Sequence, residues 1–247
     1  MRIAAISDIH GNLAALDAVL VDIAKRGADL TVNLGDIVSG PLDPAGTADR
    51  LMALDLPTIR GNHERQLLTL DISAMGPSDA VTAPRLSDAH KAWMMALPTG
   101  LRLAPDILLC HGTPTSDLEY YLDHVEPGGA RAATGEEIEA KSGGETATLI
   151  LCGHTHMPRR HRRAGGGLIV NPGSVGLPAY GDDHPWPHVM ESGSPQARYA
   201  IAERGNDGGW KAELIAVDYD AEDAARTAEA RGRPDWAVAL RTGRMRY

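Results

Sequence analysis

Five times within its first 156 residues, this chain takes a short apolar run and ends it on aspartate, asparagine or histidine. "AAISDIHGN" supplies Asp8 and His10, "NLGDIVSG" Asp36, and "IRGNHE" Asn62 and His63. "LLCHGT" supplies His111, and "LILCGHTHMP" supplies His154 and His156. The first runs recur at about thirty-residue spacing with helical segments between them, which predicts parallel strands joined by helical crossovers. Open α/β sheets build their sites beyond the carboxyl ends of strands, so these side chains are placed to meet along one edge. Residues at i and i+2 of an extended segment point the same way, so Asp8 and His10 could face one ion. Each residue alone has a plainer reading. Asp8 or Asn12 could cap the following helix, Asp36 a turn, and His111 could be a satisfied core histidine. Five coincidences at consecutive strand ends favour a site.

Strands are predicted at residues 3–7, 30–34, 58–59, 106–110, 148–152, 168–170, 198–203 and 211–217, with antiparallel pairing among the closely spaced later ones. Helices are predicted over 13–24, 47–54, 87–96, 221–230 and 235–240, and Thr134 with Glu137 forms a capping box before another. Residues 114–147 read as an insertion over the sheet, and the Pro-rich "GDDHPWPHVMESGSP" as an ordered loop within 181–197. Residues 220–247 read as a helical tail on a single domain spanning 1–247.

Hydrophobic residues make up 43% and charged residues 23%, the balance of a soluble globular chain. A formal charge of −9 argues against coating nucleic acid, which needs a basic surface. It leaves an anionic substrate open, because the local field in a site can oppose the global sign. The two cysteines, Cys110 and Cys152, each end an apolar run and read as buried thiols in a reducing compartment. No apolar stretch reaches membrane-spanning length, and the first strand starts at once, leaving no room for a signal peptide. A cytoplasmic location is the expectation.

Nitrogen and oxygen donors without cysteine suit Mn²⁺, Fe, Zn²⁺ or Ni²⁺ better than a thiolate-bound metal. Asp8, His10, Asp36, Asn62, His111, His154 and His156 are too many ligands for one ion that keeps a position open. Two ions sharing one carboxylate would use them all. Two metals about 3.5–4 Å apart are the usual clamp for in-line attack at phosphorus.

In this order, "DIH … GD … GNHE … HG … GHTH" resembles the calcineurin-like metallophosphoesterases, and with "VNPGSVGLP" the small bacterial YfcE-like group within them. The resemblance implies an α/β fold: a four-layer αββα sandwich of two mixed sheets flanked by helices. It implies that one ion takes Asp8, His10, Asp36 and His156, and the second takes the shared Asp36 with Asn62, His111 and His154. Manganese is the foremost candidate. His63 matches the family's non-ligand histidine, which contacts the phosphoryl oxygen or protonates the leaving group, so Asp36 and His63 are the catalytic candidates. The implied activity is hydrolysis of phosphodiesters or small phosphomonoesters by direct attack of a metal-bridged hydroxide. In that resemblance Asn171 to Ser174 lie near the site.

The chain departs from one branch of that family. Protein Ser/Thr phosphatases and dinucleoside tetraphosphate hydrolases carry G-D-x-V-D-R-G, whereas this chain reads "GDIVSGP", with Ser39 and Gly40 at the Asp and Arg positions. A guanidinium fork on phosphate is hard to replace. Protein or nucleotide phosphatase activity is therefore the alternative, with a nuclease or a non-catalytic binding module behind it. Arg159 and Arg160, in "PRRHRR", are candidates for drawing in substrate anions, or they form a solvated hairpin tip. Glu119, Tyr120 and Tyr121 either stack on a substrate base or pack on a helix face, and His184, Trp186 and His188 either line the pocket or form a subunit contact. The expected partner is a small phosphorylated substrate, with no extended nucleic-acid binding and no membrane.

Overall fold

Strand β1 (Arg2–Ile6) buries both of its faces in the computed structural model, which describes residues 1–245. Ile3 and Ala5 enter a core between two sheets, while Ala4 and Ile6 enter a second core beneath helices. The chain continues through α1 (Leu13–Arg26), β2 (Leu30–Asn33) and α2 (Pro44–Leu54). Asn12 caps α1, its side chain accepting from the Ala15 N–H at 3.2 Å. That leaves Asp8 out of the helix cap. Next come α3 (Asn62–Thr69), α4 (Pro77–Thr82) and α5 (Asp88–Ala96), then β3 (Gly100–Ala104) and β4 (Ile107–Cys110).

Residues 114–147, expected as an insertion, hold a hairpin, β5 (Asp123–Glu126) and β6 (Gly129–Ala132), followed by α6 (Gly135–Lys141). The predicted capping box starts α6, with Thr134 and Glu137 exchanging side-chain hydrogen bonds to each other's N–H. Strands β7 (Leu149–Leu151), β8 (Arg159–Arg162) and β9 (Leu168–Asn171) follow. The hairpin β10 (Ala179–Asp182) and β11 (His188–Glu191) precedes β12 (Ala197–Arg204) and β13 (Trp210–Val217). Helices α7 (Ala221–Ala230) and α8 (Pro234–Thr242) close the described chain; the last two residues of the predicted tail lie outside it.

One sheet has the order β13-β12-β1-β2 and the other β3-β4-β7-β9-β8. β1 runs parallel to β2, and β4, β7 and β9 run parallel to one another, so both groups end at the same kind of edge. Val32 and Leu34 meet Leu109, Leu149, Leu151 and Val170 between the sheets. Leu16, Val19, Leu51 and Met94 cover the outer face of the first sheet, and Ile138 of α6 packs on Ile150 and Ile169 of the second. The layers therefore run helix, sheet, sheet, helix, as the resemblance implied. The tail helices pack separately, against Leu42, Leu177 and Ala179.

The structure differs from the sequence reading in several places. The Pro-rich loop takes in the end of β10, the turn and all of β11, a hairpin whose four-residue strands are too short to show alternation through the Asp and Pro residues of their turn. The "RRHR" segment is strand β8, at a sheet edge, where charged side chains are tolerated because one side meets solvent. Thr58 makes only an isolated parallel bridge to Asn33, and Asn62 opens a helix. β3 was not foreseen. Among the described residues, no helix is long and apolar enough to cross a membrane.

Leu151, fully buried between the sheets, tests this layering. Leu151→Ala should lower the unfolding free energy by about 2–5 kcal/mol in urea titrations. Val21→Ala, on the exposed face of α1, should change it by no more than about 0.5 kcal/mol. Equal effects would contradict the inter-sheet core.

Candidate metal centre

Backbone hydrogen bonds zip the loops beyond β1 and β2 together. Asp8 N donates to Gly35 O at 3.0 Å, His10 N to Asp36 O at 3.0 Å, and Gly11 N to Ile37 O at 2.9 Å. The loop beyond β7 is tied in by Gly153 N to His111 O at 2.7 Å, and that beyond β9 by Gly176 N to Asp8 O at 3.1 Å. Contact this close leaves no space for side chains. A Cβ at Gly61 would strike the Asp36 carboxylate and the His111 ring, and one at Gly153 would strike Ser7 Oγ. Asn171 Nδ2 donates to Gly153 O at 2.7 Å and Ser174 Oγ to Asp8 O at 2.7 Å.

The seven candidate ligands gather here. Asp8, His10 and His156 form one group of converging donor atoms, and Asp36, His111 and His154 another. His111 Nε2 lies 3.1 Å from Asp36 Oδ2 and 3.1 Å from Asn62 Oδ1. Both groups are almost wholly buried, with His154 the most exposed member. Asp8 and His10 do not face the site by strand alternation, as the sequence suggested: β1 stops at Ile6, and both residues adopt left-handed backbone, with φ of 54° and 53°.

A carbonyl oxygen can only accept, so the ring nitrogen beside it carries the proton. His10 Nδ1 meets Ser39 O, His111 Nδ1 meets Leu34 O, and His156 Nδ1 meets Leu177 O, each at 2.7 Å. His154 Nε2 meets Leu118 O at 3.0 Å. Each ring thus turns its other nitrogen inward. His10 Nε2 and His156 Nε2 stand 3.0 Å apart. Burial pushes His10 down to about 4 and His156 well below its usual range, so both are neutral near neutrality. Two lone pairs then face each other in the dry interior, an arrangement that a cation would satisfy. Asp8 Oδ2 is buried without a hydrogen-bond partner among the described residues. The donor set therefore fits divalent metal, and carbonyl-anchored histidines are the usual surroundings of such sites.

Asp36 is the hinge of the electrostatics. Burial opposes its ionisation, yet the rings of His111, His63 and His10 around it hold its carboxyl well below the carboxylate range. Burial carries the Asp8 carboxyl up to about 7 against the pull of His111.

His63 stands with its backbone N–H on Asp36 Oδ1 at 3.0 Å and its Nδ1 on Asp79 Oδ1 at 2.9 Å. Burial would lower it, but Asp36 and Asp79 together raise it to about 9. It also lies close enough to His10 and Asp36 to form a third group with them. Sequence reading missed Asp79, which sits on α4 in a stretch without periodicity. It also missed Glu64, whose buried carboxylate accepts from the N–H groups of Asp36, Ile37 and Gly61 at 2.9, 2.8 and 2.9 Å. A signal for Glu64 did exist: a glutamate at the third position of a helix commonly reaches back to the cap.

Three comparisons bear on this arrangement. A family model for the calcineurin-like phosphoesterase superfamily domain matches residues 1–190. The chain belongs to the calcineurin-like phosphoesterase superfamily. It is a hydrolase of phosphoric esters by that membership. An uncharacterized protein of Methanocaldococcus jannaschii is 27% identical over 259 residues, covering 95% of this chain and 94% of its own. Phosphodiesterase YfcE of Escherichia coli is 29% identical over 192 residues, covering 74% of this chain and 83% of its own. The crystal structure of a metallophosphoesterase from Sphaerobacter thermophilus superposes with a TM-score of 0.75 at 25% identity, covering 97% of this chain and 98% of that one.

Beside these donor groups opens a cavity of about 880 Å³, lined by Asp36, Asn62, His63, Tyr120, Tyr180 and Arg233 among others. Tyr120 Oη bonds Tyr180 Oη at 2.5 Å and His188 Nε2 at 3.0 Å, while Tyr121 is buried on Ser142. His184 joins the rim and Trp186 is exposed. Arg159 and Arg160 do not line it. Arg159 Nε pairs with Asp123 at 2.7 Å, and Arg160 donates to the Ala212 carbonyl across the sheets.

Glu64→Gln keeps the size of the side chain but turns an acceptor into a donor against backbone N–H groups. Titration calorimetry with Mn²⁺ should show affinity about 10–100-fold weaker, the usual loss when an outer partner of a metal site is changed. Unchanged affinity would show that Glu64 does not position the centre.

Proposed function

We propose that this chain is a dinuclear-metal-dependent phosphoesterase that hydrolyses small phosphodiesters, with small monoesters as secondary substrates. The observation that supports it most is the set of inward-facing ring nitrogens and carboxylate oxygens around Asp36, with a cavity opening beside them. Asp8, His10, Asp36 and His156 would hold one ion; Asp36, Asn62, His111 and His154 would hold the other, with manganese the foremost candidate. Bound there, two divalent ions supply positive charge to the phosphoryl oxygens and a water acidic enough to attack near neutrality.

The chain's own groups do the rest. Asp36 converges with His111 and His154 and also with His10 of the other group, and it is ionised, so it can serve both ions. Asp79 fixes His63 through Nδ1, which leaves Nε2 for the substrate. Held there, the ring can donate to a phosphoryl oxygen or to the departing alkoxide. The name of the Escherichia coli relative favours diesters. A net charge of −9 and a bounded cavity both disfavour long nucleic acid as the substrate.

The test is hydrolysis of bis(p-nitrophenyl) phosphate by protein loaded with Mn²⁺. Turnover that chelation abolishes and Mn²⁺ restores is expected; none with any of Mn²⁺, Zn²⁺ or Ni²⁺ would contradict the reading. His63→Ala should keep its metal while kcat falls about 10²–10⁴-fold, the usual range for general acid–base help. The deficit should be larger for alkyl than for p-nitrophenyl leaving groups, and Asp79→Asn should show a smaller loss of the same kind. Metal loss in His63→Ala would make His63 a ligand instead.

A further inference from the structure

A side chain at position 40 has no room in this fold. A Cβ there would run into the Trp236 indole and stand 2.6 Å from the His10 carbonyl oxygen. Position 40 is where the G-D-x-V-D-R-G branches carry their arginine and where this chain has glycine. Helix α8, beyond the residues matched by the family model, occupies that space. Trp236 is buried there, its ring 5.9 Å from that of His10 and nearly perpendicular to it.

The residue that caps the N-terminus of this helix brings a guanidinium. Arg233 lines the cavity with Asp36, Asn62 and His63, and its side chain is only 16% exposed. Its Cζ lies 5.5 Å from the Trp236 ring centre. Nη1 donates to Ser78 Oγ at 2.8 Å, and Ser78 precedes the Asp79 that holds His63. Nε and Nη2 donate to Asp235 at 3.0 and 2.6 Å. Among the described residues Lys141 is the other Lys or Arg that lines the cavity, and its Nζ donates to the Tyr120 and Asp123 carbonyls; Arg159, outside it, pairs with Asp123.

We propose that Arg233 is the substrate-anion-binding residue of this site, gripping a non-bridging phosphoryl oxygen from the C-terminal helix. It thereby takes the part that other branches give to an arginine at position 40. The inference rests on reading the cavity as a phosphoesterase site. A planar guanidinium carries five N–H donors. Asp235 takes one edge and Ser78 one further hydrogen, so the rest of the fork is left for a ligand. Asp235 is then the counter-ion that holds the fork in place and competes with the substrate.

Inorganic phosphate, titrated calorimetrically into Mn²⁺-loaded protein, is the probe. R233Q should weaken phosphate binding about 10–100-fold, as expected for loss of a charge-assisted hydrogen bond, with metal content and Tm unchanged. R233K should fall between R233Q and the unaltered protein. D235N should act in the opposite direction and tighten binding, and R233Q/D235N should lose that gain. If R233Q binds phosphate like the unaltered protein, or D235N does not tighten it, the proposal is wrong. Those failures in a protein that still hydrolyses the diester would leave the phosphoesterase reading standing. Absence of hydrolysis by the unaltered protein would remove both.

Discussion

Everything at this site depends on backbone that L-residues normally avoid. Six non-glycine residues among those described have positive φ, and five of them are candidate ligands: Asp8, His10, Asp36, His154 and His156, at 53–69°. The sixth, Asp55, caps a helix. Residues held in this region cost of order 1–3 kcal/mol each and persist only where their surroundings over-determine them. Here the surroundings are hydrogen bonds between loops, the Glu64 carboxylate and two buried sheets. The left-handed turns bring the motif loops within backbone hydrogen-bonding distance, and so bring side chains from both sheets to one point.

The same geometry creates an electrostatic conflict. The inward nitrogens of His10 and His156 face each other, and His111 faces both Asp36 and Asn62. Protons can relieve part of this, which is why Asp36 lifts His111 to about 10 against the effect of burial. Cations would relieve all of it. A cation that satisfied groups already folded into place would also stabilise the fold.

Much of this was legible in the chain. Four of the five apolar runs that end in Asp, Asn or His correspond to strands, β1, β2, β4 and β7, because burial leaves a clear signature, while the third makes only an isolated bridge. The manner in which Asp8 and His10 reach the centre was not legible, since left-handed φ at an aspartate or histidine leaves no trace in an apolar pattern. Asp79 was invisible because its partner His63 lies sixteen positions away, on another helix. The β10–β11 hairpin hid within a Pro-rich stretch. The tail helices were expected at 221–230 and 235–240, but nothing local to them says that Trp236 packs beside His10.

Anomalous diffraction from crystals of the Mn²⁺-loaded protein tests the central claim most directly. The account predicts two manganese peaks about 3.5–4 Å apart, with Asp36 bridging them, Asp8, His10 and His156 around one, and Asn62, His111 and His154 around the other. A single peak, or two ions that do not share Asp36, would contradict it.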